Sequence, residues 1–251
     1  MIPKNIHFVW YQGFANLPDK LRPNVQSVID KNPDWKPFFW DDVSMQKELK
    51  NLGQEYLDKY NSYKLLHQKI DFFRYASLYS LGGVSIDTDI IALKGFDSVP
   101  NIETSDFIVS EKPHSKSINN ATIFSSKNNP ILKHVIDNID TEPCGEYESD
   151  YKCIQRTTGP YAFNKLLKPF KNEIIILPKE YLEPCASLDS YCKISPNLTI
   201  LDHRHELSWL KPWHKNVIKS YFVAKHYKYQ ILIALIIIIA LILILRKNNN
   251  S

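Results

Sequence analysis

Residues 82–89 read Gly82-Gly83-Val84-Ser85-Ile86-Asp87-Thr88-Asp89, a double glycine, a short apolar run and two carboxylates one residue apart. Paired glycines permit a tight turn that other residues resist, and Val84 to Ile86 has the composition of a buried strand. Residues i and i+2 of a strand face the same side, so a strand continuing through Asp89 aims Asp87 and Asp89 together. Two like charges at the end of an apolar run repel each other unless a cation lies between them. Mg²⁺ and Mn²⁺ take such oxygen ligands, commonly one or two carboxylates together with substrate phosphates. The stretch therefore points to a metal-bridged diphosphate. The plainer alternative is a solvated turn after a strand.

Working upstream, Leu65, Leu66, Ile70, Phe73, Ala76, Leu78 and Leu81 keep a rough helical repeat. The repeat predicts a helix over 62–81, closed by Gly82 as its C-cap. Asp71 and Arg74, three apart, share a face of that helix. An exposed pair of this kind is worth roughly a few tenths of a kcal/mol. Here the neighbours Ile70, Phe72, Phe73 and Tyr75 are large and mostly apolar, which directs the pair toward a cleft.

Further out, Ile6 to Trp10 predicts a first buried strand, and Leu21, Val25, Val28 and Ile29 predict a helix over 21–30. Phe38-Phe39-Trp40 predicts a second strand, ending at Asp41-Asp42. More strands are expected at Ile90–Leu93, Phe107–Val109, Ala121–Phe124 and Ile174–Leu177. Helices are expected from Pro130 to Ile139, opened by Asn129, and from Thr158-Gly159-Pro160 to Leu167. Residues 141–156 are polar and read as an insertion. This alternation predicts an α/β architecture with a mostly parallel central sheet.

The chain has 251 residues and a net charge of +4, enough for one α/β domain and without a basic stripe that would suit nucleic acid. Its start lacks a basic segment followed by a long apolar core, so no secretory signal peptide is expected. Ile231 to Leu245 is unbroken Ile, Leu and Ala. As a helix it spans roughly 22 Å, short of the ~30 Å hydrocarbon core. Tyr227 and Tyr229 on one side, with Arg246 and Lys247 on the other, extend it into a membrane anchor over 227–247. A soluble domain over 1–220 precedes it. Lys215, Lys219, Lys225 and Lys228 before the span favour a cytosolic domain by the positive-inside rule. Cys144, Cys153, Cys185 and Cys192 permit three pairings, and Asn120-Ala121-Thr122 and Asn197-Leu198-Thr199 match glycosylation acceptors. These keep a lumenal domain open.

Several motifs fall in one order: Ile2-Pro3-Lys4-x-Ile6-His7-x-x-Trp10, Trp40-Asp41-Asp42, Lys69-x-Asp71-x-x-Arg74-Tyr75 and Gly82-Gly83-x-x-x-Asp87-x-Asp89. Thr158-Gly159-Pro160 and His203-x-x-x-x-Ser208-Trp209 follow. Over residues 2–210 this order resembles the glycosyltransferase family with the DXD sugar-binding motif. That family includes yeast-type initiating α-1,6-mannosyltransferases and inositol-phosphoceramide mannosyltransferases. The resemblance implies a GT-A-like fold and a membrane-anchored, retaining transferase. The enzyme would move a hexose, mannose favoured, from GDP-mannose or a UDP-hexose to a glycan or glycolipid hydroxyl, using Mn²⁺ or Mg²⁺. It also implies site roles. Trp10 stacks on the donor base, Asp71 and Arg74 contact ribose, sugar or diphosphate, and Asp87 orients the metal that Asp89 ligates. His203, with His205 as its rival, is a metal or phosphate ligand, and Ser208 and Trp209 close over the diphosphate. Asn119 and Asn120 are further candidates for the sugar pocket.

Two other readings compete. A catalytically silent sugar- or nucleotide-binding module could keep the same fold, although it need not retain Asp71, Arg74, Asp87 and Asp89 together. A phosphotransferase or nucleotidyl hydrolase could use the same metal–diphosphate chemistry, but no P-loop supports it.

Overall fold

Gly82 and Gly83 have φ of +63° and +112°, a region that L side chains rarely enter. A Cβ on Gly82 would lie 2.6 Å from the Lys127 nitrogen, and one on Gly83 would collide with the Asn5 carbonyl. The double glycine is thus required both by its dihedrals and by the close approach of two neighbouring segments. It turns the long helix directly into the centre of the sheet.

The computed structural model describes residues 1–113, 115–206 and 212–249. In chain order the first elements are β1 (Asn5–Val9), α1 (Arg22–Lys31), β2 (Lys36–Trp40), α2 (Asp42–Leu52), α3 (Gln54–Ser62), α4 (Leu66–Leu81), β3 (Gly83–Ile86) and β4 (Ile90–Ala92). Then come β5 (Phe107–Ser110), β6 (Thr122–Ser125), α5 (Pro130–Asn138), α6 (Asp150–Thr157), α7 (Pro160–Leu167), β7 (Ile175–Leu177), α8 (Lys179–Leu182) and β8 (Leu201–His203). The main sheet has six strands in the order β2-β1-β3-β6-β5-β7. Its pairings are parallel at β1/β2, β1/β3 and β5/β7 and antiparallel at β3/β6 and β5/β6. The sheet is therefore mixed, with parallel pairing predominant. β4 and β8 form a separate antiparallel pair.

Strand alternation divides the interior into two cores. Ile6, Phe8, Val84, Ile86, Ile108 and Phe124 pack with Val25 and Val28 of α1, whereas Phe107, Val109 and Ile123 pack with Phe72, Phe73 and Ala76 of α4. The long helix begins at Leu66, four residues after the expected start, because Leu65 is its extended N-cap residue. The helices that escaped the sequence reading include α2 and α3. Asp41 and Ser44 close a capping box at the start of α2, and Gly53 separates α2 from α3. Within the polar 141–156 segment, Ser149 caps α6 and a disulfide joins Cys144 to the buried Cys153.

By contact the chain divides into two units, Met1–Cys185 with Ile194–Arg204, and Ala186–Lys193 with the described residues from His205 onward. The second unit contains α9 (Pro212–His226) and α10 (Lys228–Asn249). Within it Tyr191 stacks on His226 at 3.9 Å. Among the described residues no single helix is long and apolar enough to cross a membrane. Lys215–His226 and Lys228–Ile239, bent by 68°, meet that requirement only together.

Candidate active site

β3 stops at Ile86, so strand periodicity is not what brings the two carboxylates together. The Asp87 nitrogen donates to the Ala121 carbonyl at 3.1 Å, and the Asp87 carbonyl accepts from Ile90 at 3.2 Å. A turn over 87–90 therefore replaces the expected strand. It is braced by Asn24 of α1, whose side-chain amide approaches the Thr88 carbonyl at 3.5 Å. Asp89 ends the turn and leads into β4, whose register pairs Ile90 with His203. The Arg204 nitrogen donates to the Asp89 carbonyl at 2.9 Å, and His203 Nε2 lies 3.2 Å from Asp89 Oδ1. Ligand atoms of Asp87, Asp89 and His203 all fall within 4.8 Å of one another.

α4 supplies the next wall. Arg74 is buried. Its Nη2 pairs with Asp87 Oδ1, and its Nη1 donates to the Asn120 and Ala121 carbonyls at 2.6 and 3.1 Å. Expected to contact ribose, sugar or diphosphate, the guanidinium has both terminal nitrogens engaged by protein oxygens and anchors Asp87. Asp71, one turn earlier, accepts from Asn120 Nδ2 at 2.9 Å, and the Thr158 hydroxyl lies 3.5 Å from its other oxygen. The same Asn120 nitrogen lies 2.9 Å from the Tyr75 hydroxyl, which donates to the Thr158 carbonyl at 2.9 Å. Asn120 and the Thr158-Gly159-Pro160 turn thus lock Asp71 from two sides. Burial raises the Asp71 pKa to about 7; Arg74 pulls it down, Asp87 pushes it up, and the Asn120 and Thr158 hydrogen bonds lower it.

His203 completes the opposite wall. Its Nδ1 faces both oxygens of the buried Glu183, at 2.9 and 3.0 Å. Burial alone favours a neutral ring, but the Glu183 charge and the hydrogen bonds to Asp89 and Glu183 hold its pKa well above 6.5. His205, the rival to His203, falls in the second unit. Ser208 and Trp209 lie outside the described residues. Trp10 follows β1, with its nitrogen donating to the Trp40 carbonyl at 2.9 Å. Its ring is half-buried against the core that contains Phe8, and its indole nitrogen is buried with no hydrogen-bond partner among the described residues.

Three further residues reach this region without having been anticipated. His67 precedes Asp71 by one helical turn and feels the Asp87 charge, although burial lowers its pKa overall. The i, i+4, i+7 spacing of His67, Asp71 and Arg74 was the available signal. Lys112, in the loop after β5, has its pKa lowered by burial against the opposing pull of Glu183 and Asp71. No local pattern marks Lys112 or Glu183, because both reach the site only through the crossing of distant loops.

In fold the first unit is GT-A-like, and the chain's relatives mark it as a glycosyltransferase. The glycosyltransferase domain of the YGT toxin superposes with a TM-score of 0.52 at 10% identity, covering 70% of this chain and 80% of that one. Residues 18–106, which hold Asp71, Arg74, Asp87 and Asp89, match the glycosyltransferase sugar-binding region containing the DXD motif. It is similar to a protein of Acanthamoeba polyphaga mimivirus called "Uncharacterized glycosyltransferase L373", 29% identical over 90% of each chain. It is also similar to inositol phosphoceramide mannosyltransferase 3 of Schizosaccharomyces pombe, 28% identical over 63% of this chain. The chain spans 43% of that fungal protein's length.

Proposed function

We propose that the chain is a metal-dependent, retaining hexosyltransferase. It moves a sugar, mannose favoured, from GDP-mannose or a UDP-hexose to a hydroxyl of a glycan or glycolipid. The observation that carries this reading is the convergence of Asp87, Asp89 and His203 within 4.8 Å, contributed by a turn and a distant strand. Two carboxylates and one imidazole suit Mn²⁺, and Mg²⁺ less well, so the donor set fits the ion the family resemblance implies. Asp89 and His203, with Asp87, would hold it, and it would neutralise charge on the departing diphosphate.

The remaining roles belong to the protein. Arg74 keeps Asp87 turned toward the site. Asp71, held by Asn120 and Thr158, presents a fixed acceptor to ribose or sugar hydroxyls. Lys112 makes no hydrogen bond or ion pair through its ammonium among the described residues, and it supplies a cation to the diphosphate. Trp10 stacks on the base. The preference for mannose and for a lipid or glycan acceptor rests on the family resemblance and on the name of the fungal relative, and retention of anomeric configuration rests on the family resemblance alone.

The domain limits proposed from the sequence, 1–220 for catalysis and 227–247 for an anchor, are kept. In α10, Leu232, Ile233, Leu235 to Ile239 and Ile242 are 46–58% exposed. A helix apolar on all sides and exposed to this degree is suited to lipid. A panel of GDP- and UDP-sugars with Mn²⁺, read by released nucleotide, tests the reading. One donor is expected to turn over, and Asp89→Ala is expected to abolish turnover while the circular dichroism spectrum is unchanged. Binding without turnover across the panel favours the silent module. Full activity in Asp89→Ala removes the metal assignment.

A further inference from the structure

Glu183 directly follows α8 and is only 2% exposed. A buried carboxylate is costly unless it is paired and hydrogen-bonded, so a glutamate at this depth calls for a reason. Its two oxygens lie 2.9 and 3.0 Å from His203 Nδ1. A carboxylate only accepts hydrogen bonds, so Nδ1 carries its proton toward Glu183. Nε2 is then directed at Asp89, 3.2 Å away.

The backbone holds Glu183 firmly in this position. Its nitrogen closes α8 on the Lys179 carbonyl at 2.8 Å. Two residues earlier, the Tyr181 carbonyl accepts from the Ile200 nitrogen at 2.8 Å, tying α8 to the segment that enters β8. Glu183 and His203 are thus brought together by the same contact that seats β8 beside β4. An imidazole without a partner on Nδ1 can rotate or change tautomer. With Glu183 in place, one ring orientation is favoured.

The geometry points to Glu183 as the positioning residue for His203, a role that rests on the metal-dependent reading proposed above. Glu183 acts through the ring: it holds the Nδ1–H and turns Nε2 toward the space shared with Asp87 and Asp89, where Nε2 would give up its own proton on binding the ion. Carboxylates that orient ligating histidines in this way commonly matter about 10- to 100-fold for metal affinity.

The experiment is a titration of the purified full-length chain with Mn²⁺ alone, followed by the electron paramagnetic resonance signal of free Mn²⁺. Glu183→Leu is expected to weaken Mn²⁺ binding about 10- to 100-fold. Glu183→Gln, which keeps the volume and one acceptor, is expected to weaken it less. In a His203→Ala background neither substitution should weaken binding further, because Glu183 acts only through that ring. Unchanged affinity in both variants, with binding lost in Asp89→Ala, overturns the positioning role and leaves the metal reading standing. Equal losses with and without His203 also overturn it, since they report general structural support. Absence of Mn²⁺ binding by the unmodified chain overturns the metal reading itself. Should Glu183→Leu fail to fold, Glu183→Gln in the two backgrounds decides.

Discussion

The indole N–H of Trp40 donates to Nδ1 of His7 at 3.1 Å. This contact sets the tautomer of a fully buried histidine: Nδ1 accepts, so Nε2 carries the proton and donates to the Gly82 carbonyl at 2.9 Å. Three separate motifs, around His7, Trp40 and Gly82, are therefore one hydrogen-bonded unit under the turn that leads to Asp87. Burial lowers the His7 pKa to about 4, against a smaller opposing effect from Gly82. Between pH 6.5 and about 4 the unfolded chain binds a proton here that the folded chain refuses. Stability from this group is thus complete above pH 6.5 and falls as pH drops toward 4, by up to about 3 kcal/mol. Urea denaturation at pH 7.5, 6 and 5 should show this decline, and His7→Gln should be less stable at pH 7.5 with a shallower pH dependence.

Asp71 has the opposite sign. Its folded pKa of about 7 lies above the ordinary carboxylate value. Between pH 4 and 7 the folded chain keeps a proton that the unfolded chain releases, so stability from this group is lost as pH rises through that window. Asp71→Asn should raise the urea midpoint at pH 8 and flatten the profile. The same variant should lower kcat/KM by about 10²-fold or more, because an amide cannot present the fixed anionic acceptor proposed for the donor. Unchanged turnover would remove Asp71 from the donor site.

Lys112→Met keeps the aliphatic stem of the side chain and removes its charge. If the ammonium stabilises the departing diphosphate, kcat should fall about 10- to 100-fold, with a smaller change in KM. Stability should hold or improve, because burial already disfavours the Lys112 charge. A rise in KM alone, measured by steady-state nucleotide release, would assign Lys112 to uniform donor binding instead.

If the apolar run anchors the chain in a membrane as proposed, one assay decides its sidedness. None of the four cysteines is free, and disulfides persist chiefly in oxidising compartments. The lysine distribution before the apolar run favours the cytosol instead. Protection of the catalytic domain from protease in sealed microsomes is expected from the disulfides. Digestion would restore the cytosolic reading. If the domain is protected, Asn197 is exposed and can carry a glycan, whereas Asn120 is buried with its amide committed to Asp71 and Tyr75.

Much of the scaffold was legible because local rules govern it. Apolar periodicity marked α1 and α4, Asn129 and Pro130 marked the start of α5, and the double glycine marked the break between α4 and β3. α2 and α3 were missed, as their apolar faces are short and their limits depend on a capping box at Asp41 and a turn at Gly53.

The candidate site divides in the same way. By itself the sequence determined the residue types of the motif, the helix bearing Asp71 and Arg74, and the resemblance to glycosyltransferases with the DXD motif. These follow from short-range spacing, which a linear pattern preserves. Only the tertiary structure decided that a turn, not a strand, joins Asp87 to Asp89, and that Arg74 is bound to protein oxygens. The same holds for Asn120 locking Asp71 and for Glu183 facing His203. Those contacts join residues 13 to 49 positions apart. Burial, by raising the cost of every unpaired polar group, selects which of the possible partners meet.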